Sequence, residues 1–562
     1  MNRRNFIELG VSGGILSSCP FILTSGMSEA ARTERRELSA DVVIAGGGLG
    51  GCAAALGALR NGLRVAWTEE TDWIGGQITQ QGVPPDEHPW IETHGATKLY
   101  RDFRTAIRNY YIRNYPLTDG ARAQRYLNPG NGAVSRLCHE PKVALAVLHE
   151  MLAPYISAGK LNLLLHHKIV GADVTGDSVK ALKAVHLLRK NETVLTAPYF
   201  VDATEQGDLL PLTGTEYVSG AESREQTKEL HAAEKADPLN QQAFTVCFAL
   251  DYEKDADHVI EKPKEYDFWK NYVPELTPAW SGKLLDLTYS QPTTLLPKTL
   301  GFHPEGTATG DALNLWNYRR IIHRNNFTEG SYTGDVTIVN WPQNDYLLGN
   351  PDGDDKKFAR HVARAKQLNL SLIYWLQTEV PRPDGGQGWK GVRLRRDILG
   401  TDDGMAKYPY IREAKRIKAL FTVLEEHVGK ENRKMVSGED TAAEFHDSVG
   451  VGYYAIDLHP TCRGNNYIDI PSLPFRIPLG ALIPQRMNNL LPACKNIGAT
   501  HITNGCYRVH PVEWSIGEAV GMLVKYALQK KTTPRSIREN AGQLADFQAM
   551  IRAQGIETSW KS

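Results

Sequence analysis

Three glycines and one glutamate carry the clearest chemistry in this chain. Gly46, Gly48 and Gly51 have the G-x-G-x-x-G spacing, and Glu69 follows them. In that pattern Gly46 permits a tight turn, Gly48 lets backbone approach a pyrophosphate, and Gly51 lets a helix pack on a strand. A helix that begins at such a turn aims free N–H groups and its positive dipole end at phosphates. A carboxylate at the position of Glu69 is placed to meet a ribose hydroxyl. A second glycine pair, Gly75 and Gly76, and then Gln77 close the segment.

The elements that must position these residues are legible around them. Val42, Val43 and Ile44 form a short β-branched run suited to a buried parallel strand. Cys52–Leu59 is rich in small residues and predicts the helix. Leu63–Trp67 predicts the second strand, with Glu69 at its carboxyl end. Strand, turn, helix, strand and acid are in register, which specifies a dinucleotide-binding βαβ unit. Gly386, Gly388 and Gly391 repeat the spacing, but they follow Val-Pro-Arg-Pro-Asp, which cannot be a central strand, so they predict a loop. No second fingerprint indicates a separate NAD(P)H domain.

At 562 residues the chain is long enough for two intimately connected domains. Lys+Arg and Asp+Glu balance at 64 each, with no basic stripe to recommend nucleic acid. The seven cysteines, Cys19, Cys52, Cys138, Cys247, Cys462, Cys494 and Cys506, include no C-x-x-C pair. Free thiols are expected, with no iron–sulfur cluster and no metal. Asn2-Arg3-Arg4-Asn5-Phe6-Ile7 and the apolar run Leu9–Leu23 resemble a twin-arginine export signal, which implies a periplasmic or exported protein. Cys19 makes a poor lipid-anchor site, with Ser18 before it and Pro20 after it. Ser28–Ser39 reads as a linker, and no segment of the mature chain is apolar enough to span a bilayer.

Further along, Thr97–Tyr111 and Pro141–Ala158 predict helices, with Pro141 in a first turn. Leu161–His166, Lys168–Asp173, Ala181–Leu188 and Tyr199–Ala203 predict strands. His166 and His167 are expected to alternate across a sheet without catalytic meaning. From Thr215 to Pro474 the character changes: Trp269, Trp280, Trp316, Trp341, Trp375 and Trp389 concentrate there among many prolines. Asn489–Ala493 predicts a strand, Asn496–His510 a polar loop, and Pro511–Leu528 a helix with Gly517 and Gly521 on one face. The domain plan is an export signal and linker over 1–39, a cofactor-binding domain over 40–214 and 475–530, an inserted substrate or cap domain over 215–474, and a tail over 531–562.

Several motifs together resemble a known family. They are EETDWIGGQITQQGV at Glu69–Val83, Asp202-Ala203-Thr204-Glu205 with Gly207-Asp208, and Asn340-Trp341-Pro342 with Asp345-Tyr346. Tyr410-Ile411-Arg412-Glu413 and Arg508-Val509-His510-Pro511 with Gly517-Glu518-Ala519 complete the set. The chain resembles the xanthan-lyase-like FAD-dependent oxidoreductases, distantly similar to the heterodisulfide reductase flavin subunit, over about Ala40–Leu528. The resemblance implies an α/β fold: a Rossmann FAD-binding domain of the glutathione-reductase type with an inserted α+β substrate domain. It implies FAD, with Gly46, Gly48 and Gly51 at the pyrophosphate and Glu69 at the adenosine ribose. Gly75, Gly76 and Gln77 would lie near the pyrophosphate and flavin. Ile169 or Val170 would offer backbone to adenine, and Ala203 and Thr204 would pass close to the cofactor. Arg508 and the start of the Gly517 helix would close over the ring. The cysteine clusters of the heterodisulfide reductase relatives are missing, so that activity does not carry over.

A flavin accepts a hydride equivalent, so the protein must position a C–H bond and remove a proton from the substrate heteroatom. Histidine is the usual base near neutrality. His501 and His510 are the leading candidates, with His139 and His459 behind them. Arg412, expected in a helix with Glu413 and Arg416, serves either as a carboxylate clamp or in an internal salt bridge. Asn340, Trp341, Asp345 and Tyr346 suit either a wall for a sugar or polyol, or a structural turn. The expected activity is an exported dehydrogenase or oxidase acting on a small hydroxylated or amine substrate, carbohydrate-like in character, with the electron acceptor open. An electron-transfer flavin subunit and a lyase with structural or transiently cycled FAD are the rivals.

Overall fold

Val42, Val43, Ile44 and Ala45 are buried on both faces, as a continuous apolar run can be only in a sheet covered on two sides. They form β1 (Val42–Ala45) in a computed structural model that describes residues 36–306, 312–351, 353 and 355–560. The export signal, Cys19 and most of the linker lie outside the described residues. The elements that frame β1 are, in chain order, α1 (Leu49–Arg60), β2 (Val65–Glu69), α2 (Pro141–Ser157), β3 (Leu161–Leu165) and β4 (Tyr199–Asp202). Much later in the chain come β5 (Leu490–Pro492), α3 (His501–Tyr507) and α4 (His510–Lys530). The strands make one sheet in the order β5-β4-β1-β2-β3, parallel at every pairing. Val43 pairs with Ala66 on one side and Phe200 on the other.

α1 and α4 pack backbone to backbone over this sheet. A Cβ at Gly517 would lie 2.0 Å from the Gly50 carbonyl oxygen, and one at Gly521 would lie 2.3 Å from that of Ala54. Gly517 therefore joins two helices and does not open room for a ring system, which corrects its expected place at the cofactor. Trp514 on α4 is fully buried and stacks on Phe103, with ring centroids 5.2 Å apart.

A second sheet sets Arg36–Ser39 parallel to Glu192–Thr196 and continues through Ser178–His186 to His167–Thr175. His166 has φ 58° and lies between strands, and only His167 is a strand residue. The middle of the chain adds an antiparallel sheet, in the order Arg320–Ile322, Val336–Val339, Phe248–Tyr252, Val392–Leu394, beside the long helix Asp355–Thr378. Residues 531–560 hold the helices Pro534–Glu539 and Ala541–Ala553, whose Ile537, Phe547 and Ile551 are buried.

Two local expectations fail. The predicted loop Asn496–His510 contains α3, because the Thr500 side chain caps it by accepting from the Thr503 amide. The predicted helix around Arg412 is extended chain. Tyr410 exchanges backbone hydrogen bonds with Thr245, and Ile417 donates to Asn496. Ile411, Arg412, Glu413 and Ala414 are all buried, which leaves no solvent face for an amphipathic helix.

Candidate active site

The glycine turn opens on a narrow cleft at the carboxyl ends of β1, β2 and β4. Gly46, Gly47, Gly48, Glu69, Ile169, Ala203 and Thr204 line it, together with Gln80, His167, Asp208 and Tyr408. Gly46 has φ 92°, and a Cβ there would lie 2.3 Å from the Ala203 carbonyl oxygen, so only glycine fits. Glu69 ends β2 and accepts from the Gly47 amide at 2.7 Å, the Thr71 amide at 2.7 Å and Gln80 Nε2 at 3.1 Å. Burial pushes its carboxyl up to about 7, against those hydrogen bonds. Asp202 pins the turn after β4, accepting from the Thr204 amide and hydroxyl and from the Leu209 amide. Ile169 faces this cleft, whereas the Val170 side chain is 45% exposed.

Gly75 and Gly76 both have positive φ, and they fold the 76–81 turn against Gly48: a Cβ at Gly76 would lie 2.9 Å from the Gly48 Cα. Gln77 is fully buried, donating to the Arg508 carbonyl oxygen at 2.9 Å and to Glu513. Gln77 Oε1, Gln80 Oε1, both amide atoms of Gln81 and Glu205 Oε1 are buried with no partner. Orphaned polar atoms at this density call for a polar ligand.

Arg508 leads from this turn to a much larger cavity of about 380 Å³, which it lines. The aromatic wall is Tyr289, Tyr318, Trp341, Tyr410, Tyr454 and Tyr467. Three arginines enter it, each matched to an acid. Arg319 lies 3.3 Å from Asp86, Arg412 lies 3.0 Å from Asp345, and Arg508 lies 3.2 Å from Asp457. His459 lines the same cavity, with Nδ1 2.6 Å from Asp345 Oδ2. Burial opposes the charge on Asp345, but Arg412 and His459 outweigh it and hold the carboxyl below its usual range. Asp469, also at the wall, is pushed up to about 6 by burial and by Asp457.

The expected catalytic residues divide sharply. His510 Nδ1 accepts from the Asp86 amide at 3.1 Å and Nε2 donates to the Val83 carbonyl at 3.2 Å. Burial pulls its pKa down to about 4, so it is a neutral strut with both nitrogens engaged. His501 begins α3, holds Glu413 at 2.8 Å and lines a separate, smaller cavity. His139 is buried against the Glu140 carbonyl and pulled down to about 4 by burial. Asn340 and Trp341 line the large cavity and Asp345 stands behind it, while Tyr346 lies in the core with its hydroxyl 3.0 Å from His361 Nδ1. Sequence reasoning passed over Asp86, Arg319 and Tyr454, whose neighbours in the chain carry no motif.

A parallel sheet with a glycine turn at its centre, closed by a helix returning from the far end of the chain, defines a dinucleotide-binding flavoprotein fold. Residues 41–551 match the family model described as FAD dependent oxidoreductase, and the chain belongs to that family. The family's description names oxidoreduction as the activity and FAD as the cofactor. Solved structures with similarity include p-nitrophenol 4-monooxygenase from Pseudomonas putida DLL-E4, at 10% identity over 92% of this chain and 94% of that one (TM-score 0.35). Quinol fumarate reductase of E. coli matches at 11% over 92% and 74% (TM-score 0.32). L-proline dehydrogenase from P. horikoshii matches at 17% over 33% of this chain, which spans about a quarter (24%) of that relative (TM-score 0.17). No curated protein matches.

The glycine turn and the acid at the end of β2 are the kinds of group that the adenosine end of FAD would require. Gly46, Gly48, Glu69 and Thr204 would be the residues to hold it.

Proposed function

We propose that the protein is an exported FAD-dependent dehydrogenase or oxidase that oxidises a small hydroxylated, carbohydrate-like molecule in the large cavity. The observation that carries this reading is the His459–Asp345 pair on the wall of that cavity. With Nδ1–H donated to Asp345, His459 Nε2, 3.8 Å from Asp457 Oδ2, is the nitrogen that would accept a hydroxyl proton. Arg412 keeps Asp345 charged, and Asp345 keeps the imidazole oriented. FAD, when bound, supplies the two-electron acceptor. The three arginines carry their own carboxylates, so the wall favours a neutral polar molecule over a carboxylate. Trp341 and the tyrosines offer flat apolar faces to a sugar ring, and Asn340 offers hydrogen bonds. Export is supported by Arg3-Arg4 and the apolar run after them.

A second reading, a lyase in which FAD is structural, is favoured by one feature: the same base, set among arginines and tyrosines, suits removal of a C–H proton without an oxidant. Anaerobic mixing of the FAD-loaded protein with sugars, polyols, hydroxy acids and amines separates the two. Bleaching of the flavin by a sugar or polyol, lost in His459→Asn, supports the oxidase or dehydrogenase. An unsaturated product formed without bleaching sinks it in favour of the lyase.

A further inference from the structure

The positive end of α1 is filled by the protein's own acids. Glu513 Oε1 accepts from the Gly50 amide at 3.4 Å. A Cβ built on Gly48 would lie 3.0 Å from Glu205 Oε1 and 3.4 Å from Glu513 Oε1, and one on Gly76 would lie 3.0 Å from that same Glu205 oxygen. Glu205 is 7% exposed, and its Oε1 has no partner. Its other oxygen is ion-paired with Lys495, which is 1% exposed. Lys495 Nζ also lies 3.3 Å from Cys494 Sγ, and that thiol donates to Glu513 Oε1 at 2.8 Å. Gln77 completes the ring by donating to Glu513. Glu205, Cys494 and Glu513 converge closely enough to hold a metal ion, but the ammonium of Lys495 already supplies the cation there.

A glycine turn at a helix N-terminus attracts anions, and here two carboxylates answer it. A pyrophosphate brings the same sign of charge to the same amides. The two cannot share the space, because like charges at contact distance in a poorly solvated site repel strongly. Burial already pushes the Glu513 carboxyl above its ordinary range, only partly offset by Lys495. A further anion at this position therefore requires an acid to leave.

We propose that Glu205 and Glu513 stand in for the cofactor pyrophosphate at the start of α1, and that FAD binds when the Glu205–Lys495 pair opens and Lys495 turns to the phosphate. The proposal rests on FAD being the cofactor. It makes cofactor loading, and not chemistry, the step this cluster controls.

The test is FAD titration of the full-length apoprotein, followed by quenching of flavin fluorescence. Glu205→Ala is expected to bind FAD about tenfold or more tightly than wild type, because it frees both the space and Lys495. Glu205→Gln, of equal size, tests the charge alone if the alanine variant fails to fold, and is expected to shift affinity the same way. Lys495→Met is expected to weaken binding by about tenfold or more. Wild type that binds FAD as tightly as both Glu205 variants overturns this proposal and leaves the oxidoreductase reading standing. Failure of wild type and every variant to bind FAD overturns both.

Discussion

Asp345 Oδ2 and His459 Nδ1 meet at 2.6 Å although 114 residues separate them in the chain. Arg412 approaches the other oxygen of the same carboxylate at 3.0 Å. The geometry orients one imidazole toward the cavity and holds the orienting acid charged. Asp345→Asn is expected to lower the rate of anaerobic flavin reduction by about 10²–10⁴, the usual worth of a positioned base, with the flavin spectrum unchanged. A normal rate in this variant removes His459 from the mechanism.

The contact between Gly50 and Gly517 sets how closely α4 lies on α1. An added methyl at Gly517 would sit 2.0 Å from a backbone oxygen, and backbone cannot rotate away as a side chain can. Gly517→Ala is expected to destabilise the fold by about 1–3 kcal/mol or more, as overpacking does in a dense core. Gly120→Ala, in the short helix Asp119–Arg122 with nothing within 4 Å and no positive φ, is the control for the loss of glycine itself. Equal chemical-denaturation midpoints for the two variants would show that helix contact is not the cause.

Two buried histidines make the fold sensitive to acid. Burial pulls the pKa of His510 and of His139 down to about 4, below the 6.5 of an ordinary imidazole. Their neutral forms favour the folded state fully above about 6.5, and that contribution fades as pH falls toward 4. Raised carboxyls such as Glu69 work in the opposite direction, so the contribution is read as a difference: between pH 7 and pH 5 the wild-type midpoint is expected to lose more, or gain less, than that of His510→Gln. The same pH dependence in both proteins contradicts the assignment.

The Glu413–His501 pair works in the opposite sense for its imidazole. Burial opposes both charges, yet His501 and Arg416 hold Glu413 at about 2, and Glu413 raises His501 above its usual value. The carboxylate contribution is present above about 4.5 and lost as pH falls toward 2. The imidazolium contribution is present below about 6.5 and lost as pH rises through its raised value. His501→Gln is expected to cost most stability between pH 4.5 and 6.5, read from urea midpoints across that range. A pH-independent cost would mean that packing, not charge, is what His501 supplies.

The βαβ unit was legible from Val42 to Glu69 because everything it needs is local: a β-branched run, three spaced glycines, a small-residue helix and an acid at a strand end. The return of β5 and α4 to the same sheet was legible for a similar reason, since Pro511 opens a helical run directly after a short apolar strand. The histidines were not. His501 and His510 lie beside the right motif, but whether an imidazole faces a cavity or braces a loop depends on what approaches it from distant segments, here Glu413, Val83 and Asp86. Arg412 was misplaced in a helix because its spacing to Arg416 is helical, whereas pairing with Thr245 and Asn496 draws that segment out straight. The sequence alone thus determined the cofactor fold and its glycine turn, through periodicity and backbone freedom within one short stretch. Only the tertiary structure decided which side chains reach the large cavity and which fill the start of α1, because those contacts join residues hundreds of positions apart and leave no periodic trace.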